Sequence, residues 1–298
     1  MKINEISPLD NDFTEVLDTI ALKPKTLFYI GKMPKKVLIS GKKYRPPTVA
    51  IVGTRRNTTY GKEIAFKAAY ECAQAGAIIV SGLAYGIDSI AHRGALAASG
   101  VTLAVLGTAV DDIYPRSHTA LAREIVEKGG AIISEHAPGE TKTRIGMKTT
   151  FLERNRIISG LADAVLVVEA AERSGSLNTA SHALEQGREV FAVPGNINQP
   201  YSRGCNKLIE MGAEVYQRPE DILDKIWPVS RKKNVKKQFF GGSPSEQKIM
   251  EQIGNGVYDG AEIIDKTGLS AAEYSQAITL LEIKGVIKPL GMNRWMTV

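Results

Sequence analysis

A chain of 298 residues has room for one large α/β domain with a smaller unit beside it. Its two cysteines and four histidines fall at no disulfide-framework or metal-ligand spacing, which sets aside a disulfide scaffold and a zinc module. The net charge is +6 with a pI near 9.1, but five positive charges sit in Arg231–Lys237 and residues 243–298 carry −2, leaving +3 for the rest. Any anion site in the main domain is therefore a local feature, not a globally basic surface. With no signal-peptide pattern and no apolar run of roughly eighteen residues, the expectation is a soluble, cytoplasmic protein.

Residues 1–47 read as a cap on the main domain. Phe13, Val16, Leu17 and Ile20 repeat at helical spacing, a strand follows at Leu27–Ile30, and the segment is too short for a core of its own. From Thr48 the pattern is regular. Apolar runs recur at Thr48–Val52, Ala77–Val80, Val101–Leu106, Ala131–Ser134, Ala164–Ala170 and Glu189–Val193, most separated by helix-like segments such as Gly61–Ala75, Gly86–Ala98 and Ser117–Lys128. Continuous apolar strands alternating with helices predict a parallel sheet covered on both faces. Residues 48–227 are thus expected to form a Rossmann-like, doubly wound α/β domain. Residues 228–243 have linker composition, with a basic run that suits a solvated tether. Residues 244–298 offer three short helices and a strand–turn–strand, the order of a winged helix. Its recognition helix would begin at Ser270–Tyr274 with no Arg or Lys in the first two turns. That favours a protein-interaction or regulatory role over DNA reading.

One stretch carries most of the chemistry, Lys148–Ser159. The residues from Glu153 suit a short helix with Ile157, Ile158 and Leu161 inward, which puts Lys148, Arg154 and Arg156 near a positive helix N-terminus. Cations there are unfavourable by about 0.3–1 kcal/mol each. With Phe151 and Asn155 interleaved, the cluster suits an anionic partner; alternatively the arginines pair with Glu153 or Glu169 on a solvated helix end.

In open α/β sheets ligands bind beyond the carboxyl ends of the strands. The loops there are rich in Gly, hydroxyls and Arg, which suits phosphate held by backbone N–H groups. They include Gly53–Gly61, Ser81–Asp88, Gly107–Pro115, Glu135–Gly139, Glu172–Thr179 and Pro194–Gly195. Gly53-Thr54-Arg55 and Ser174-Gly175-Ser176 each pair a turn with donors, whereas Gly107 and Gly139 read as plain turn glycines. A dinucleotide enzyme is disfavoured, because the first loop lacks G-x-G-x-x-G and the second strand ends in Ser81-Gly82 rather than an acid. The P-loop pattern is missing too. No catalytic constellation emerges, and no cofactor or metal is expected; Asp88 reads as a helix cap.

Taken together, Gly53-Thr-Arg55 with Tyr60-Gly61, Ser81-Gly-Leu-Ala-Tyr-Gly-Ile-Asp88, Tyr114-Pro115, Ser134-Glu135, Phe151 with Arg154–Ile158, Ser174–Leu177 with Thr179-Ala180, Val193–Gly195 and Gly204–Ile209 resemble the DNA-processing protein A (DprA/Smf) family. The resemblance runs from about Phe13 to the C-terminus. Departures are Cys205, where serine or threonine is expected, and the lack of an extra N-terminal helical domain that some relatives carry. The resemblance implies a homodimeric, sequence-independent single-stranded DNA binder that protects incoming DNA and loads RecA recombinase during natural transformation. It implies that Arg55 and Lys148 engage phosphates, that Phe151 stacks on a base, and that the Ser174–Ser176 turn holds the backbone. The candidate DNA-contacting positions are Gly53, Thr54 and Arg55; Ser81 and Gly82; Lys148, Phe151, Arg154, Asn155 and Arg156; and Ser174, Gly175, Ser176 and Gly195. The competing enzyme reading is a nucleotide phosphoribohydrolase on a related fold. Its Pro-Gly-Gly-x-Gly-Thr-x-x-Glu loop is absent, and His182 stands where its glutamate would fall. A base-reading regulator built on the winged helix is a third possibility.

Overall fold

A computed structural model describes residues 2–39, 42–140, 144–227, 243–254, 257–291 and 293–297. The chain divides into two compact units, residues 1–228 and 229–298. The basic run Arg231–Lys237 lies outside the described residues.

In the larger unit the strands are β1 (Asn4–Ile6), β2 (Leu27–Gly31), β3 (Val37–Ile39), β4 (Lys42–Tyr44), β5 (Thr48–Val52), β6 (Ile78–Ser81), β7 (Thr102–Val105), β8 (Ala131–Ser134), β9 (Ala164–Val167), β10 (Glu189–Ala192) and β11 (Glu214–Val215). The helices are α1 (Thr59–Gln74), α2 (Ile87–Ala97), α3 (Thr119–Glu127), α4 (Arg144–Leu161), α5 (Gly175–Glu185), α6 (Arg203–Glu210) and α7 (Pro219–Ile226). Nine strands form one sheet in the order β1-β2-β8-β7-β6-β5-β9-β10-β11, while β3 and β4 pair separately. From β8 to β11 every pairing is parallel.

Alternation along β5 shows why both faces need helices. Val49 and Ile51 pack with Ala65, Ala68 and Ala69 of α1 and with Ile87, Ala91 and Ala95 of α2. Ala50 and Val52 point the other way, into a core shared with Ile157, Ile158 and Leu161 of α4, Ala180 and Ala183 of α5, and Leu208 of α6. All five β5 residues are buried, which is the reason the strand reads as an unbroken apolar run.

Two sequence expectations are revised. Residues 1–47 are part of the main domain instead of a cap on it. Strand β2 pairs antiparallel with β8, β1 pairs antiparallel with β2, and Phe13, Leu17 and Ile20 fill the α4 side of the core. Gly160 of α4 lets this segment approach, since a Cβ there would lie 2.8 Å from Leu17 Cδ2. Helix α4 begins at Arg144, nine residues before Glu153, so Arg154 and Arg156 lie well inside it and not at its dipole end.

The smaller unit has helices α8 (Pro244–Gly254), α9 (Gly260–Thr267) and α10 (Ala271–Ile283) and the antiparallel pair β12 (Ile287–Gly291) and β13 (Arg294–Thr297). Its core joins Ile249 and Ile253, Ile263, and Tyr274, Ala277, Ile278 and Leu281. A capping box starts α10: the Ser270 hydroxyl accepts from Glu273 N–H at 3.3 Å and the Glu273 carboxylate accepts from Ser270 N–H at 2.9 Å. The outward positions of α10, among them Glu273, Ser275, Gln276 and Thr279, carry no Arg or Lys before Lys284.

Candidate nucleic-acid interface

Strand order reverses between β5 and β9, so their carboxyl ends form the switch point where such sheets hold ligands. The loop leaving β5 turns sharply there. A Cβ on Gly53 would come within 3.0 Å of Glu169 O and Ile87 side-chain atoms, so only glycine fits. Thr54 N–H donates to Glu169 O at 2.7 Å, and Thr54 O accepts from Ile87 N–H at 3.2 Å. The Thr54 side chain is buried, its hydroxyl accepting from Arg56 N–H. Arg55 is thereby turned outward and exposed.

Arg55 meets the stretch singled out above. Together with Gly82, Ala84, Tyr85, Tyr114, Pro115, Phe151 and Arg154 it lines one pocket. The Phe151 ring, partly exposed, lies 5.4 Å from the Tyr114 ring at a tilt of 35°. The Arg55 guanidinium is 5.7 Å from the Phe151 centroid and that of Arg154 is 5.9 Å away. Gly107, expected as a plain turn residue, does more: a Cβ there would run into the Phe151 ring, so its absence seats the aromatic. Lys148 lies three residues before Phe151 on α4, hence one turn earlier on the same side of the helix.

Four other candidates are committed to internal work. Arg154 is 4% exposed and donates to Gly82 O at 2.8 Å and also to Val105 O, tying the loops after β6 and β7 to α4. Burial lowers its guanidinium to about 10, with Asp88 opposing the shift, so it stays a cation at neutral pH. Gly82 has no Cβ because one would collide with that guanidinium. Asp88 sits in the first turn of α2 and accepts from Gly82 N–H at 3.1 Å, clasping the loop ahead of the helix. Its carboxyl is pushed up by burial, against the pull of Arg154. Arg156 pairs with Glu135 at 2.6 Å, neither with Glu153 nor with Glu169. Asn155 donates to Gly175 O and to Asn178 Oδ1, both at 3.2 Å. Ser81 is fully buried and donates to Ile51 O at 2.7 Å. Arg154, Arg156 and Ser81 were expected as DNA-contacting groups; Arg154 and Ser81 instead satisfy buried carbonyls that would be left unpaired without them, and Arg156 pairs with the partly buried Glu135.

The turn Ser174–Ser176 opens α5. Its two hydroxyls lie 2.7 Å apart, and Ser174 caps the helix by accepting from Ser176 N–H. Space above Gly175 is open apart from Leu152 Cδ2 at 3.9 Å. Gly195 is held at both its backbone groups by Asn206, at 3.1 and 2.9 Å. Tyr85 and Tyr114, 48% and 41% exposed, belong to the pocket but were not chosen from the sequence. The signal was there, as two aromatics in polar loops at the ligand-binding edge. Glu169 was also missed as a site residue; it is 4% exposed and its carboxylate accepts from Thr58 N–H and from the Thr58 hydroxyl.

Among the described residues no helix is long and apolar enough to cross a membrane, and no group of three or more His, Cys, Asp or Glu side chains could hold a metal ion. Comparison with known proteins agrees with the fold and motifs. Residues 4–227 match the family model of DNA recombination-mediator protein A, and residues 240–291 match that of the DprA winged helix domain. Protein Smf of Escherichia coli is 40% identical over 251 residues, covering 80% of this chain and 65% of that protein, so this chain spans just under two thirds of its length. The DNA processing protein DprA of Bacillus subtilis is 43% identical over 224 residues, 75% of this chain and 71% of its own. Among solved structures, DNA processing protein A of Streptococcus pneumoniae superposes with a TM-score of 0.64 at 36% identity, covering 76% of this chain and 75% of that one. The protein of the same name from Helicobacter pylori, solved in a study of its single-stranded DNA binding mode, gives 0.63 at 29% identity, covering 76% of this chain and 95% of that one. With both of its units matched in order, this chain belongs to the DNA recombination-mediator protein A family.

Proposed function

We propose that the chain binds single-stranded DNA without regard to sequence and acts as a recombination mediator. In this role it protects incoming strands and loads RecA recombinase onto them during natural transformation, as a cytoplasmic homodimer. The observation that carries the reading is the partly exposed Phe151 ring with the Arg55 guanidinium 5.7 Å from its centroid. Stacking on an aromatic is worth about 1–3 kcal/mol per base and accepts any base, since each has a π-face. Neighbouring cations supply the salt-dependent part of the affinity. Paired bases in a duplex keep their faces buried in the stack, so the pocket selects an unstacked nucleotide. The Helicobacter pylori relative, studied for its single-stranded DNA binding mode, supports the same substrate. Arg55, Lys148 and Phe151 are the proposed DNA-contacting side chains, with Gly53, Gly82, the Ser174–Ser176 turn and Gly195 shaping the path and Asn155 holding that turn. Arg154 and Arg156 hold the framework under them. We assign the winged helix to a protein partner or to regulation, in keeping with its net −2 charge.

Fluorescence anisotropy with mixed-sequence single-stranded and blunt duplex oligonucleotides tests this. Tight single-strand binding that weakens steeply with salt is expected; equal affinity for duplex, or a salt-independent constant, would refute it. The same preparation should release no ribose 5-phosphate from AMP.

A further inference from the structure

A Rossmann-like sheet offers phosphate a seat at its first βα junction, where the N–H groups of the helix start converge and the macrodipole is positive. In this chain that seat is filled from within. The Glu169 carboxylate accepts from Thr58 N–H at 2.9 Å and from the Thr58 hydroxyl at 2.5 Å. The same hydroxyl accepts from Gly61 N–H at 3.1 Å and so caps α1. A Cβ on Gly61 would overlap the carboxylate, so the glycine makes the space in which Glu169 lies across the first helical turn. The backbone of Glu169 holds the loop's other end, its carbonyl accepting from Thr54 N–H at 2.7 Å. One residue therefore clamps both ends of the five-residue span from Thr54 to Thr58 and leaves Arg55 and Arg56 exposed on its outer side.

We infer that Glu169 is the positioning residue of the interface: an internal anion that occupies the phosphate seat of α1, fixes the Gly53–Thr58 loop, and so presents Arg55 beside Phe151. The inference rests on the single-strand reading above. It also accounts for the direction of the site, because a strand phosphate kept off the α1 start by a buried carboxylate is left to the Arg55 side of the loop. The carboxylate does not touch DNA in this arrangement; it acts through Arg55.

A double-mutant cycle tests it, using the full chain and fluorescent oligothymidylate. Glu169→Ala should weaken binding by about the same factor as Arg55→Ala, and the double variant should be no weaker than Arg55→Ala alone, to within about twofold. The slope of log affinity against log salt should become shallower by about 0.7 in all three, the loss of one phosphate contact. A purely structural role would lower the melting temperature while leaving the slope of the folded protein at its parent value. Should Glu169→Ala fail to fold, Thr58→Val removes the hydroxyl donor but keeps the carboxylate, and it should show the same non-additivity with Arg55→Ala. Losses that simply multiply, or an unchanged salt slope in a folded variant, would overturn the assignment. A parent protein with no affinity for the oligonucleotide would instead overturn the single-strand reading itself, and this inference with it.

Discussion

Phe151 and Arg154 stand three positions apart on α4 and meet the same pocket, yet one is partly exposed and the other sealed. Their substitutions should therefore report different quantities. Phe151→Ala should lower single-strand affinity by about 1–3 kcal/mol with the salt slope unchanged, because stacking releases no counterions. Its melting temperature should stay near the parent's, unlike a fully buried Phe→Ala, which would cost about 3–5 kcal/mol of stability. Arg154→Ala should do the reverse. It strips two carbonyls of a donor and removes the cation that offsets buried Asp88, so denaturant unfolding should show a loss of about 3 kcal/mol or more. From the sequence alone the two arginines and the phenylalanine looked like one basic-aromatic cluster. What separates them is tertiary: Arg154 finds Gly82 O and Val105 O 72 and 49 positions away, and nothing local announces either partner. Lys148, named with them, lies on α4 with its side chain outside the described part of the structure.

At the scale of elements, the strands were legible because burial on both faces leaves an unbroken apolar signature; Thr48–Val52 and Ala131–Ser134 coincide with β5 and β8. Helix α4 was read short because Arg144–Thr150 offers few apolar positions from which to count a period. The N-terminal segment was underrated for a related reason: Leu27–Gly31 joins the main sheet by pairing with β8, over a hundred residues later. Helix α1 supplies the prediction at this scale. Gly→Ala within a helix ordinarily adds about 1 kcal/mol of stability. At Gly61 the added methyl would meet the Glu169 carboxylate, and overpacking of this kind costs about 1–3 kcal/mol. Gly61→Ala should therefore lower the thermal midpoint, and a rise would show that the carboxylate can move aside.

For the molecule as a whole, acid stability should carry the mark of a single imidazole. His92 is fully buried; its Nδ1 lies 2.7 Å from Thr102 Oγ1, whose own proton goes to Ile79 O, so Nδ1 carries a hydrogen. Burial, with His118 and Arg154 nearby, lowers its pKa from 6.5 to about 3. The unfolded chain thus takes up a proton that the folded one refuses. Stability linked to this ring is whole above pH 6.5 and is lost as pH falls toward about 3, at up to about 1.4 kcal/mol per pH unit. Urea midpoints of His92→Gln, measured across that window, should fall less steeply with acid than those of the parent. The two-unit division gives a separate expectation. Removing residues 243–298 while keeping Arg231–Lys237 should leave single-strand affinity within a few fold, because the removed part carries −2 and α10 shows no outward Arg or Lys before Lys284. A hundredfold loss, about 2.7 kcal/mol, would make the winged helix a principal DNA contact.

The nine-stranded sheet tapers at both margins, ending on one side in the three residues of β1 and on the other in the two of β11. A long bare margin is a template onto which another chain can lay a strand, the usual route to runaway aggregation. Here an incoming strand would find room for only a few backbone hydrogen bonds before the ladder stopped. Copies of this chain brought close together are thus discouraged from fusing through the margins of this sheet.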